Sequence, residues 1–410
     1  MSFSSFLATL SRRSGVRIAL YNYFALALTA IFAIATARLI GPSARGSVSG
    51  VLAWWALLAE VGSLGIAFSL TYYLAKGDPY PPTRAAADWL LRRQVAATSL
   101  FGALIFTLLP SQLQVLGILY ALTLPLAFIS SYRLAELLGL GRLRDWNQAR
   151  TACALLPPIA GLTAALVAPR AGPVLIGYGI GSLGGTVIAA AKLASVDRFS
   201  ASVPIAGRRL LSYGVRTAVT GVLSSSNRYL DIAIMTIVLP SVSVGLYASA
   251  VALSAILLPF GRAIAASASS RLPALSTSAQ QAATWHYYRQ SAAICLLTGL
   301  AGALLARPLV AIALGNSYRG ATTATAILFP AAAVLALIEV GSAVSRGRNR
   351  PSQPTVAQLL GLLITAFGII PAVKAFGIAG AAWVSLASYV TTLFALLLMT
   401  HRADRRANAS

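Results

Sequence analysis

Apolar windows separated by charged or turn-forming breaks divide the chain into twelve spans, roughly 18–39, 48–75, 93–110, 113–131, 150–168, 173–194, 214–238, 244–266, 290–306, 320–343, 356–373 and 377–400. About 20 apolar residues in helical conformation cross a bilayer core, and these windows approach or exceed that length. The pattern predicts an all-α polytopic membrane protein of about twelve transmembrane helices. Pro157-Pro158 and Gly184-Gly185 fall inside spans; neighbouring helices can re-satisfy the backbone groups they free, so they do not change the count. The span at 290–306 is short and follows a polar, aromatic stretch around Trp285. Arg12, Arg13 and Arg17 precede an apolar run ending in Ala35-Thr36-Ala37, a pattern resembling a secretory signal. A run of about 20 residues is too long for such a signal and predicts an uncleaved first helix.

Composition agrees. Hydrophobic residues are 58% of the 410 positions and charged residues 10%, whereas a soluble domain carries charge on about a quarter of its residues. The net charge of +23 would suggest nucleic acid in a soluble protein. In a membrane protein it reads first as topology, because Lys and Arg hold loops on the cytoplasmic side. With the N-terminus inside, 24 of the 32 Lys and Arg lie on or beside cytoplasmic segments, six lie on the other side, and Arg216 and Arg228 lie within the seventh span. A wrong helix count would scramble that alternation, so both termini are expected in the cytoplasm. The loops on the other side are short, and no extramembrane domain is expected. Cys153 and Cys295 fall inside apolar spans without partners at ligand spacing, which fits small buried side chains.

A weak repeat divides the chain into halves. Leu39-Ile40-Gly41-Pro42-Ser43-Ala44-Arg45-Gly46 returns about 200 residues later as Leu239-Pro240-Ser241-Val242-Ser243-Val244-Gly245-Leu246. Six helices per half keep the same orientation, so the expectation is a parallel duplication about an axis along the membrane normal. The N-terminal lobe is expected over 1–198 and the C-terminal lobe over 199–410, joined by the segment near 195–213.

Charges inside the bilayer are costly and mark a function or a structural pair. Glu60 lies near the middle of the second span; Arg216, Arg228 and Asp231 lie in the seventh. Arg228 and Asp231 stand at i, i+3, a spacing that permits direct pairing. Two readings stay open: a self-satisfied buried ion pair, or an arginine fork offered to a phosphate and steadied by the aspartate. Arg133 and Glu136 have the same spacing at a helix end and are expected to be structural. Glu339, in the tenth span, has no local basic partner and suits either a proton site or contact with headgroups. Arg38 ends the first helix at the outer interface, where it is expected to snorkel, and Arg262 is expected to snorkel inward or to face a cavity. No GxxxxGK[ST] loop is present, and His286 and His401 have no nucleophile and acid at catalytic spacing, so neither ATP binding by a P-loop nor an enzyme is expected. No cofactor is expected.

The segment Ala37-Arg38-Leu39-Ile40-Gly41-Pro42, followed by Gly46 and by Gly62-Ser63-Leu64-Gly65, resembles the opening of Wzx-type polysaccharide flippases. These belong to the multidrug/oligosaccharidyl-lipid/polysaccharide exporter superfamily. Asn227-Arg228-Tyr229-Leu230-Asp231, Val244-Gly245-Leu246-Tyr247-Ala248 and Phe376-Gly377-Ile378-Ala379-Gly380-Ala381-Ala382 resemble that family's second half, in order. Ser43-Ala44-Arg45 departs from it, because the family commonly carries acidic residues there. The resemblance implies two six-helix lobes around a central cavity lined by helices one, two, seven and eight. It also implies movement of polyprenyl-pyrophosphate-linked glycans from the cytoplasmic to the outer leaflet of a bacterial plasma membrane. A pyrophosphate needs cationic partners to cross hydrocarbon, so Arg216 and Arg228 are the expected cavity cations and Arg38 an outer station. Glu60, Asp231 and Glu339 are expected to orient them or to exchange a proton or sodium ion. Expected partners are the lipid-linked glycan, membrane lipid and the polymerase or glycosyltransferases of the same pathway, with no nucleic acid. The competing readings are a drug or cation antiporter of the same superfamily, a membrane enzyme of glycan assembly, and a scaffold for polymerising enzymes.

Overall fold

In the computed structural model, which describes residues 3–194, 207–272, 277–348, 350 and 352–409, every regular element is helical. The order is α1 (Phe3–Ser63), α2 (Ile66–Ala75), α3 (Tyr80–Thr107), α4 (Ser111–Ala121), α5 (Leu124–Gly139), α6 (Leu143–Val167), α7 (Ala171–Ala191), α8 (Gly207–Val238), α9 (Ser241–Ser254), α10 (Leu258–Arg271), α11 (Thr277–Leu304), α12 (Ala306–Ala313), α13 (Thr322–Gly347) and α14 (Ser352–Ala409). Short 3₁₀ turns link α9 to α10 and lead into α13.

By length and apolar content alone, six helices can cross a membrane, or eight if two bent pairs each count as one span. Two of those eight contain a break. α1 is two helices joined across a kink at Gly41 (φ 74°) and α14 two joined at Gly377 (φ 58°), so each counts as two crossings. α3 and α8 carry too many polar residues for that test, yet their 28 and 32 residues are long enough. Twelve crossings result, matching the twelve expected spans. The expected joining segment near 195–206, and with it the lobe boundary at 198–199, lies outside the described residues.

The second expected span differs in detail. It breaks between α1 and α2, where Leu64 (φ 48°) and Gly65 (φ 66°) are left-handed. Such a break frees backbone groups that hydrocarbon cannot satisfy. Ser63 Oγ accepts from Gly65 N at 3.3 Å, and Gln94 Nε2 donates to Ser63 O at 3.1 Å. Gln94 is itself fixed by a hydrogen bond from the Tyr132 hydroxyl. The polar residues of α3 and α5 therefore repair a kink in their neighbour, and Gly65 lets α8 approach closely: an added Cβ would lie 2.2 Å from Gly214 O.

The outward faces are apolar. Leu100, Leu108, Val167, Leu304 and Phe367 are each more than 75% exposed, which water would not tolerate in such numbers but lipid does. The first half packs around a cluster that includes Ile66, Leu70, Phe106, Leu124 and Phe128. The second half packs around α13, whose membrane window is 83% buried, with α10, α11 and α14 against it.

At the end rich in Lys and Arg, the expected Arg133–Glu136 pair is present and belongs to a larger network. Arg133 Nη2 also bonds Asp88 at 2.8 Å, while Tyr80 donates to Glu136 at 2.9 Å and accepts from Arg84 at 2.7 Å. The stretch around Trp285 is helical rather than loop, with Trp285 Nε1 donating to Asp404 Oδ2 at 3.2 Å and Arg348 bonding the same carboxylate.

The kink repair is testable. Gln94→Leu should destabilise the protein in detergent by about 1–3 kcal/mol, the cost of an unsatisfied buried carbonyl. Leu100→Ala, on the lipid face, should leave thermal unfolding nearly unchanged.

Candidate functional site

A cavity of about 810 Å³ opens between the first-half helices and α8. Its wall on α8 follows from helical spacing. Tyr213, Thr217, Gly221, Ser225 and Arg228 succeed one another at intervals of three or four and form one stripe; four of them line the cavity. Opposite stand Trp55, Ala56, Ala59, Glu60 and Ser63 of α1, with α2 and α5 completing the wall and Trp146 at the start of α6. The lining runs from Trp55 towards Ala75 and Leu138 at the basic end, so this is the end to which the cavity leads. The lining draws on the second, fourth, fifth and seventh crossings, whereas the first and eighth, also expected there, contribute none of it.

The opposite end is shut by a reciprocal contact. An added Cβ at Gly46 would lie 1.8 Å from Ser241 O, and one at Gly245 would lie 1.8 Å from Pro42 O. The two repeated turns therefore meet each other, each offering the same glycine to the other's first helical turn. A two-fold relation between the halves has this form.

The expected site residues separate. Arg228 lines the cavity and is exposed within it, with no carboxylate at ion-pair distance among the described residues. Glu60 lines it too, and its Oε1 sits where a Cβ of Gly221 would come within 2.3 Å. Gly221 and Arg228 are seven residues apart, about 10 Å along one face of α8, so the cavity wall carries one acidic and one basic side chain at separate levels. Arg216 is exposed on α8 but absent from the lining. Twelve residues from Arg228 correspond to a rotation of about 120°, which turns it off the stripe. Arg38 lies elsewhere again: its Nη1 donates to Ile312 O at 2.9 Å, where a cation favours the carbonyl end of α12.

The direct pairing of Arg228 with Asp231 is not formed. Asp231 turns away from the cavity into the second half, 6% exposed. Tyr247 Oη donates to its Oδ2 at 2.7 Å and the Ile232 amide to its Oδ1 at 2.7 Å, with Ser385 Oγ at 3.5 Å. Two side chains three residues apart are about 60° apart around a helix, and here that angle separates the cavity from the core. Glu339, which has no basic residue near it in sequence, faces Arg262 of α10 at 3.8 Å. A sequence window of a few residues cannot show a pairing across 77 positions.

One cation escaped the sequence analysis. Arg150 stacks over Trp146, its guanidinium 5.0 Å from the ring, and lies within electrostatic reach of Arg262, which in turn feels Arg228. Arginines of α6, α10 and α8 are thus linked in turn by electrostatic reach, and of the three Arg228 lines the cavity. The Trp146 and Arg150 pair at i, i+4 was the available signal; its place near a loop hid it. At the mouth, Tyr72 stacks on Tyr213 at 4.6 Å and Arg209 covers Tyr73 at 4.5 Å, tying the start of α8 to α2. Among the described residues no three His, Cys, Asp or Glu side chains gather as a metal site.

The architecture is two helical halves about a cavity closed at one end. No family model and no curated protein matches the sequence, but solved structures do. "Lipid II flippase MurJ, inward closed conformation" superposes with a TM-score of 0.78 at 12% identity, over 94% of this chain and 87% of the other. An inward-facing multidrug resistance MATE family transporter gives 0.68 at 13% identity, over 93% and 95%. The eukaryotic MATE transporter AtDTX14 gives 0.58 at 13%, over 96% and 98%. These likenesses establish the fold.

The separation of Arg228 from Asp231 can be measured. A double-mutant cycle of Arg228→Ala and Asp231→Asn in detergent unfolding should be additive within about 0.5 kcal/mol. A coupling above about 1 kcal/mol would mean that they pair. Tyr247→Phe combined with Asp231→Asn should couple.

Proposed function

We propose that the protein flips polyprenyl-pyrophosphate-linked oligosaccharide from the cytoplasmic to the outer leaflet by alternating access. The observation that carries this reading is Arg228, a guanidinium on the cavity wall with no carboxylate partner among the described residues. A guanidinium in a low-dielectric cavity favours a diphosphate by charge-assisted, bidentate hydrogen bonds. Arg150 and Arg262, contributed from both halves, extend the same field, and Glu339 steadies Arg262. The fold shared with a lipid II flippase supports the lipid-linked class of substrate.

On this reading the basic end faces the cytoplasm of a bacterial plasma membrane, with both termini there. The lobes are 1–198 and 199–410, and the pathway's polymerase and glycosyltransferases are the partners. The cytoplasmic opening would receive the headgroup and the Gly46–Gly245 contact would part to release it. Glu60, the carboxylate on the cavity wall, is assigned proton or sodium exchange. Asp231 is assigned to holding α8, α9 and α14 together.

Glu60 also favours a second reading, export of a cationic drug in exchange for a proton, because a carboxylate in a cavity suits a cation. The fold shared with MATE transporters is compatible with it.

Reconstitution with a fluorescent polyprenyl-pyrophosphate sugar separates the two. Arg228→Ala should slow transbilayer movement by about tenfold or more, as expected from losing a hydrogen bond to a charged group. Wild-type movement in that variant would sink the flippase reading. Proton-driven efflux of an organic cation that needs Glu60 and not Arg228 would establish the antiporter instead.

A further inference from the structure

Arg45 lies beside the contact that shuts the end away from the cavity mouth, and it is the buried cation for which neither the fold nor the cavity gives a reason. It is 7% exposed, and its Nε is buried with no hydrogen-bond partner. The eight ion pairs among the described residues all lie elsewhere. Its neighbours are neutral: the Tyr178 hydroxyl of α7 is within hydrogen-bonding reach, and Tyr318, from the second half, is within electrostatic reach. A buried charge without a counter-ion is expensive, so a closed end built this way holds a standing preference for an anion or for water.

Three further observations say which ligand would come, and from where. First, the repeat supplies an internal control. The reciprocal contact pairs Gly46 with Gly245 and Pro42 with Ser241, a register in which Arg45 corresponds to Val244, a buried apolar residue. The second copy of the turn packs without a charge, so packing does not require Arg45. Secondly, Arg45 shares the cavity-facing side of α1. Ala56 and Ser63 follow it by eleven and eighteen residues, within about 20° around a helix, and both line the cavity. Thirdly, polar aromatics connect the two places. Trp55 in the cavity wall has a buried, unpartnered indole Nε1 and lies 5.7 Å from the Tyr120 ring. Tyr120 is within electrostatic reach of Tyr178 and Tyr178 of Arg45. Two helix N-termini, those following Gly41 and Pro240, converge on the same point and add positive potential.

We propose that Arg45 is the exit-side station for a pyrophosphate-type anion. The group would pair with Arg45 as the Pro42–Gly46 and Ser241–Gly245 segments separate. This deepens the flippase reading and rests on it for the membrane lipid that carries the anion. It replaces Arg38 as the outer station, since Arg38 is engaged with α12.

The test reads the closed end directly. Spin labels on Ser43→Cys and Val242→Cys, both exposed on the closing segments, report its separation in a chain carrying Cys153→Ala and Cys295→Ala. Inorganic pyrophosphate in one arm, and a polyprenyl-pyrophosphate sugar in nanodiscs in another, should each raise the separated population. If only the lipid arm responds, the station needs the membrane-borne form; if only the free anion responds, it serves a soluble phosphate. Arg45→Ala should reduce the response about tenfold, the scale of one hydrogen bond to a charged group, and Arg45→Lys should retain most of it. An equal response in Arg45→Ala, or none in either arm from a folded wild type, would overturn the station. Flipping by the wild type is scored separately. A wild type that flips while Arg45→Ala flips and separates equally well leaves the function standing without the station. A station that responds to pyrophosphate in a protein that does not flip leaves the reverse.

Discussion

Inside hydrocarbon no water is available to bond a stray carbonyl or amide, so every place where a helix bends must be repaired by protein. This constraint organises the structure. A cavity between the halves needs helices that turn, and the break at Leu64–Gly65 lies on its wall. Beside that break Glu60 and Ser63 line the cavity, and Gln94 of α3, itself held by the Tyr132 hydroxyl of α5, bonds the freed Ser63 carbonyl. The polar residues in those apolar helices serve the geometry of a neighbour.

α8 shows how one helix serves both halves. Its first turns lie against α2, through Ser69 Oγ donating to Leu210 O at 2.7 Å and the Tyr72–Tyr213 stack. Its later turns are locked to α9 and α14 through Asp231, Tyr247 and Ser385. Between them lie Gly221, under the Glu60 carboxylate, and Arg228. Arg228 and the glycine beneath Glu60 of α1 therefore sit on the stretch of α8 that passes from one half to the other.

Much of this was legible in the sequence because lipid imposes a length. The twelve crossings follow from the apolar windows, and the reciprocal turns from the repeat. Helix starts were less legible: α3, α8 and α11 begin at Tyr80, Gly207 and Thr277, seven to thirteen residues before their apolar windows. Hydropathy marks only the part of a helix that meets hydrocarbon; the amphipathic turns at its end are fixed by packing, as Asp404 fixes Trp285. In the site, Arg228 and Glu60 were found because a charge in an apolar window is conspicuous. Their facing was not, since it depends on rotation about an axis: Arg216 is off the stripe and Asp231 belongs to the core. The Arg262–Glu339 pairing needed the fold.

A contact in which each half presents the same segment to the other is what two separate copies of a half-length chain make about a two-fold axis. In such a dimer, an arginine at this position would face its own copy across the axis, and two like charges would oppose closure. Joining the copies into one chain removes that obligation. Position 45 carries a guanidinium and position 244 a valine, an asymmetry open to a fused pair and closed to a symmetric one.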